Sequence, residues 1–230
     1  MAEKENQWSL NEFLHFLFMT ILSGGMIGIC ATSSLYANAI IEEGGKLIGA
    51  VLFSLGIFVI LQYEMKLFTG LVSTIPSMKK RSVWKLPTCF IGNAIGVLIV
   101  YLLVSATPLS SSVLVTGKNL IALKLGAENW WLSSVASGVL CGILITLSVL
   151  SVHHAHKKGL SANVGVMFPI IVFAFCGFDH SVANMFYFYC LGEFSWRVIG
   201  YIALTIVGNV IGGVILPLVI NLKDNEYTGL

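Results

Sequence analysis

Between Val164 and Leu191 the chain is apolar except where Gly177-Phe178-Asp179-His180-Ser181-Val182-Ala183-Asn184-Met185 sets an acid and a histidine side by side. A run of that length can cross a bilayer, which takes about 20 apolar residues. Ionisable groups at such depth are costly and face the protein interior or a water-filled path. A helix interrupted there must line a cavity or be buried in protein, because lipid cannot satisfy the freed backbone groups. Two readings follow: a substrate path, or a kink holding a hydrogen-bonded structural histidine. The cost of burial favours the path.

The remaining chain supports a membrane reading. Of 230 residues, 57% are hydrophobic and 10% charged, and the mean hydropathy is +0.89, whereas soluble domains carry about 25% charged residues. There is room for six spans with short loops, so residues 1–230 are expected to form a single all-α integral membrane domain, with 1–12 and 223–230 as cytoplasmic ends. The polar N-terminus, with Glu3, Lys4 and Glu5, lacks the positive start and small-residue cleavage site of a signal peptide. The net charge of +2, without a basic patch interleaved with aromatics, gives no reason to expect a nucleic-acid partner. Cys30, Cys89, Cys141, Cys176 and Cys190 are scattered through apolar stretches without metal-ligand spacing, as expected of small buried side chains.

Taken in order, the first span covers about 13–36 and contains Gly24-Gly25-x-x-Gly28, small residues that permit close helix approach. The second begins near Leu47 and is interrupted at Gln62-Tyr63-Glu64-Met65-Lys66-Leu67-Phe68-Thr69-Gly70. The third covers about 86–107 with Gly92-Asn93-x-x-Gly96, and a polar connection is expected over 108–129. The fourth runs from Trp130 to Val152. The fifth is the interrupted helix of the opening, and the sixth, Trp196 to Asn221, contains Gly208-Asn209-x-x-Gly212. The second and fifth helices are thus both broken, and the last span of each half carries Gly-Asn-x-x-Gly. Three spans followed by three similar ones predict a 3+3 inverted repeat, and paired broken helices point to a midplane site. Lys66, at one break, is expected to pair with Glu64 or Asp179 rather than face lipid. With the N-terminus inside, inner segments hold eight Lys/Arg and outer segments four, so both termini are expected in the cytoplasm and the chain in the cytoplasmic membrane.

The nine residues from Gly177 to Met185 closely resemble the signature of the formate/nitrite transporter family, usually written with Glu where Asp179 stands. Leu67-Phe68-Thr69-Gly70, Phe53-Ser54-Leu55-Gly56 and both Gly-Asn-x-x-Gly motifs are similar to that family as well. The resemblance implies an aquaporin-like protomer in a homopentamer, one pore per protomer, passing small monovalent anions or their weak acids of the formate, nitrite or hydrosulfide class, or in some members acetate and lactate. It implies apolar constrictions at Phe53, Ile57, Leu67 and Phe173, with a polar centre at Thr69 and His180. Phe68 and Asn184, inside the two loop motifs, belong to the same pathway. Lys124, in Ile121-Ala122-Leu123-Lys124, maps to the family's vestibule lysine. Three positions depart from the family pattern: Lys66 stands where an acid is usual, Gly142 where an Asn is usual, and Asp179 for Glu. Lys66, Lys124 and Asp179 therefore tune the charge along the path.

An apolar constriction is a poor place for a bare anion. A weak acid has a cheaper route, in which Lys124 draws the anion in, a proton joins it, and the neutral acid crosses. His180 can donate a hydrogen bond or exchange a proton, since imidazole takes either form near neutrality. No cofactor or catalytic residue is expected. The alternatives are a membrane-bound metal enzyme using His153, His154 and His156, a weak ligand spacing without an accompanying carboxylate, and a neutral-solute channel, for which the Asn-Pro-Ala motifs are absent.

Overall fold

A computed structural model describes residues 9–158 and 162–221, without the side chains of 153–158, 162 and 221. The described residues are helical, with no strand: α1 (Leu10–Ile40), α2 (Gly45–Gln62), α3 (Phe68–Val72), α4 (Lys85–Ser105), α5 (Ser110–Gly126), α6 (Trp130–Lys158), α7 (Ala162–Cys176), α8 (Ser181–Leu191) and α9 (Trp196–Asn221). Six segments are long and apolar enough to cross a membrane, and α7 with α8 counts as one of them. Their outward faces carry large apolar side chains such as Phe18, Leu22, Leu102, Leu103, Phe168 and Leu218. A soluble protein would bury these, whereas a bilayer solvates them.

Local chemistry sets the ends. Ser9 and Glu12 form a reciprocal capping box, with Glu12 N–H donating to Ser9 Oγ at 3.2 Å and Ser9 N–H to Glu12 Oε2 at 2.7 Å. Two of the four orphan donors at that helix end are thereby satisfied, and α1 starts at Leu10 rather than three residues later. Hydroxyls inside the spans bond back to their own helix, as Thr32 does to the Gly28 carbonyl at 2.9 Å, since hydrocarbon offers no other partner.

The tightest pairs are α1 against α4 and α6 against α9. Both depend on missing side chains. A Cβ on Gly96 would strike the Ile21 carbonyl oxygen, and one on Gly212 the Val139 carbonyl oxygen. Helices approach to backbone contact where the residue at the crossing is small.

The stretch 108–129 is not the polar connection expected from its composition. Ser110–Gly126 is a helix, whose stripe Val113, Gly117 and Ile121 is buried. Ile121 packs in a cluster with Phe188, Leu191 and Tyr201. Serines and an asparagine hide that stripe from a hydropathy reading, but its i, i+4, i+8 spacing is that of a buried helix face. Through this helix Lys124 reaches the protein interior.

Candidate functional site

Two backbone breaks meet in the interior. After α2 the chain turns at Glu64, a non-glycine residue with φ 52°, and continues through Met65-Lys66-Leu67 into α3. After α7 it turns at Gly177, with φ 76°, and continues through Phe178-Asp179-His180 into α8. Each break exposes backbone groups that lipid cannot satisfy, and one asparagine answers each. Asn93 Oδ1 accepts from Phe68 N–H at 2.8 Å, while its Nδ2 donates to the carbonyls of Lys66 at 3.0 Å and Thr20 at 2.7 Å. Asn209 Oδ1 accepts from Ser181 N–H at 2.9 Å, while its Nδ2 donates to the carbonyls of Asp179 at 2.8 Å and Gly138 at 2.9 Å. The asparagines of the two Gly-Asn-x-x-Gly motifs are therefore loop clamps, beyond the helix packing that the glycines serve.

The clamps bring Thr69 and His180 together, with Thr69 Oγ1 2.9 Å from His180 Nε2. Both are buried. The other ring nitrogen, Nδ1, accepts from Ala183 N–H at 3.0 Å and so caps α8. A backbone N–H can only donate, so Nδ1 must be unprotonated, and the proton of the neutral ring sits on Nε2, facing Thr69. Stacked on the imidazole at 5.8 Å lies Phe173, whose edge in turn meets Phe53 at 5.6 Å. These two rings line a narrow cavity of about 80 Å³ together with His180, Asn184, Lys124 and Tyr187. Beyond the Thr69–His180 pair, Ile57 and Leu67 line a second cavity of about 420 Å³, which also holds Lys66 and Glu64. The arrangement is two cavities, each with apolar lining, and one buried polar contact, Thr69 to His180.

Asp179 is the most heavily bonded side chain of the site. Lys124 Nζ pairs with its Oδ1 at 2.6 Å and also donates to the Gly177 carbonyl at 3.0 Å. Asn184 Nδ2 donates to Oδ1 at 2.9 Å, and Tyr201 O–H donates to Oδ2 at 2.9 Å. Ser137 Oγ accepts from the backbone N–H of Asp179 at 2.8 Å. An ammonium carries three donors, so Lys124 keeps one for the cavity that it lines.

A family model described as formate/nitrite transporter matches residues 1–222. The chain belongs to that family. It is 31% identical over 188 residues, 74% of this chain and 68% of the other, to the uncharacterized transporter YrhG of Bacillus subtilis (strain 168). It is 26% identical to the probable formate transporter of Methanothermobacter thermautotrophicus, covering 94% of this chain and 89% of that one. Its fold matches a solved pentameric formate channel with formate bound, at a TM-score of 0.76 and 20% identity, over 94% of this chain and all of that one. The chain is thus a multi-pass membrane protein of the formate/nitrite transporter family.

Among the positions that the family resemblance marks, Phe53, Phe173, His180, Asn184 and Lys124 gather at one mouth, and Ile57, Leu67 and Lys66 at the other. Phe68 lines neither cavity; its ring packs edge-on against Phe90 at 5.1 Å. The pairing expected of Lys66 is not formed. Asp179 is taken by Lys124, and no ion pair among the described residues joins Lys66 to Glu64. Gly142, where the family usually has an Asn, packs against the Asn209 backbone, and a Cβ there would meet Gly213 N at 2.8 Å. The side chains of His153, His154 and His156 lie outside the described residues. Sequence reasoning missed Tyr201, Ser137 and the clamping role of Asn93 and Asn209. For the asparagines a signal existed: an amide in the middle of an apolar span needs a partner, and one stands at the matching Gly-Asn-x-x-Gly position of each half.

Proposed function

We propose that this chain is a channel for small monovalent anions or their conjugate weak acids, of the formate, nitrite or hydrosulfide class, with one pore per protomer. The observation that carries the reading is the contact between Thr69 and His180, a single polar centre between the Phe53/Phe173 and Ile57/Leu67 thresholds. The anion meets the spare donor of Lys124 at the narrow mouth. It takes a proton before the apolar rings, because a bare charge is costly there, and it crosses as the neutral acid. At the centre rotation of the Thr69 side chain frees the Nε2–H of His180 to donate to the permeant, a hydrogen-bond exchange that leaves the Nδ1 cap of α8 intact. The similar solved channel is pentameric with formate bound, which supports a homopentamer and this ligand class. The two asparagine clamps support a 3+3 inverted repeat, and the Lys/Arg balance supports placement in the cytoplasmic membrane with both ends, 1–12 and 223–230, inside. The role is transport and not catalysis.

Uptake in proteoliposomes tests the reading. If His180 donates a hydrogen bond, His180→Asn retains part of the wild-type flux, while His180→Phe loses about tenfold to a hundredfold, the worth of one missing donor against a polar solute. Flux by His180→Asn as low as that of His180→Phe between about pH 5 and 8 would assign an obligatory proton exchange instead. Wild-type flux through correctly assembled His180→Phe would overturn the pathway.

A further inference from the structure

Lys66 and Asp179 hold the same place in their two loops. The carbonyl of each accepts from the clamping asparagine. Two residues on, at Phe68 and Ser181, the backbone N–H donates to that same asparagine. Their charges are opposite, and they are treated differently. The Asp179 carboxylate is answered inside the protein by Lys124, Asn184 and Tyr201. The Lys66 ammonium forms no ion pair among the described residues. It is half-buried and lines the larger cavity, about 420 Å³, among Ile57, Ile60, Leu67, Ile145 and Val149. Glu64 lines the same cavity but is exposed and unpaired with it.

We infer that this cavity is an anion-binding site at the mouth opposite Lys124, with Lys66 as its charge and monocarboxylates bearing a short apolar tail as its ligand class. The inference rests on the proposed channel function and specifies what that channel takes up at one end. A half-buried ammonium attracts a counter-ion more strongly than one in open water, because the surrounding dielectric is low. When the protein supplies none, a dissolved anion does. An ammonium gives a carboxylate a charge-assisted hydrogen bond through one of its three N–H donors. The aliphatic walls then favour a ligand with carbon behind the charge, each buried methylene adding about fourfold in affinity. Formate and nitrite gain only the charge. The cavity at the other mouth, about 80 Å³ and lined by rings together with Lys46 and Lys124, has no such room, so the two mouths differ in tail tolerance.

The test uses the full chain, with propionate and formate as probes. Ligand-observed NMR titration of purified protein should show propionate binding weakened about tenfold by Lys66→Gln, the worth of one charge-assisted hydrogen bond, and restored by Lys66→Arg. Initial-rate uptake into right-side-out and inside-out membrane vesicles should show the half-saturation concentration raised in one orientation only, the one presenting the Lys66 mouth. Unchanged propionate binding in Lys66→Gln overturns the site, and so does an equal shift in both orientations. Equal affinity of the wild-type protein for formate and propionate overturns the tail preference. Absent flux with binding intact would instead overturn the channel reading and leave the site standing.

Discussion

The break at Lys66-Leu67 and the break at Asp179-His180 share a backbone and differ in chemistry. In each, one buried asparagine accepts from the first N–H of the following half-helix and donates to a loop carbonyl and to a neighbouring helix. Yet one loop presents an aliphatic residue and a lone ammonium, the other an imidazole and a carboxylate bonded on every side. The difference teaches that the clamp sets where the chain goes, while the side chains carried on it are free to differ. Geometry and side-chain chemistry are written on different atoms of the same loop.

The harshest way to break the comparison is to remove a clamp. Asn209→Leu leaves Ser181 N–H and the Asp179 carbonyl buried without partners, at about 1–3 kcal/mol for each group, and should abolish stable assembly as read by size-exclusion chromatography in mild detergent. Asn93→Leu should be the milder of the two. The Lys66 carbonyl keeps a second donor in Cys89 Sγ at 3.2 Å, so a higher melting temperature than that of Asn209→Leu is expected. The reverse order would mean that the loops are held by something other than these amides.

The next effect concerns charge. Asp179→Asn removes the acid from Lys124 and should lower stability by about 1–3 kcal/mol, less than for a fully buried pair because the lysine side chain keeps some water contact. At the other break, Lys66→Gln should change stability by no more than about 0.5 kcal/mol, since no described partner is lost. Thermal unfolding of both variants in the same detergent reads the contrast, and equal losses would show that Lys66 is paired after all. The smallest effect is at Tyr201. Tyr201→Phe deletes one of three groups that bond the carboxylate and keeps the ring stacked on Trp130 at 6.3 Å, so about 1 kcal/mol is expected. Because the lost bond steadies the partner of Lys124, anion uptake from the narrow mouth should weaken alongside. Unaltered uptake would confine Tyr201 to packing.

Much of this architecture could be read from residues alone, and the reasons differ element by element. The six spans follow from apolar length, which a bilayer enforces more strictly than any soluble core does. The last span, Trp196–Asn221, has the limits expected of it. The meeting of Thr69 with His180 could be foreseen because two breaks at membrane depth must share one interior. What could not be read is long-range pairing. Nothing local distinguishes Tyr201 from an ordinary interfacial aromatic, and its hydrogen bond joins it to a loop on another element. Lys66 illustrates the same limit from the other side. A cation at a break needs an answer, but sequence cannot say whether the nearest acid is already engaged. The helix Ser110–Gly126 was hidden for a third reason, in that its polar face outweighs a three-residue stripe in any average.

The clamps also bear on time. Moving either loop would require breaking two hydrogen bonds to a buried amide at once. Rearrangements of packed backbone of that kind belong to microseconds or longer, whereas side-chain torsions relax in about picoseconds to nanoseconds. On the proposed pathway the aperture would be set by rotation of Phe53 and Phe173 against a fixed frame, and conductance should fluctuate fast without long closed dwells. Hydrogen exchange gives the check: the amides of Phe68 and Ser181 should be among the slowest in the protein, and rapid exchange at either would show that the frame itself breathes.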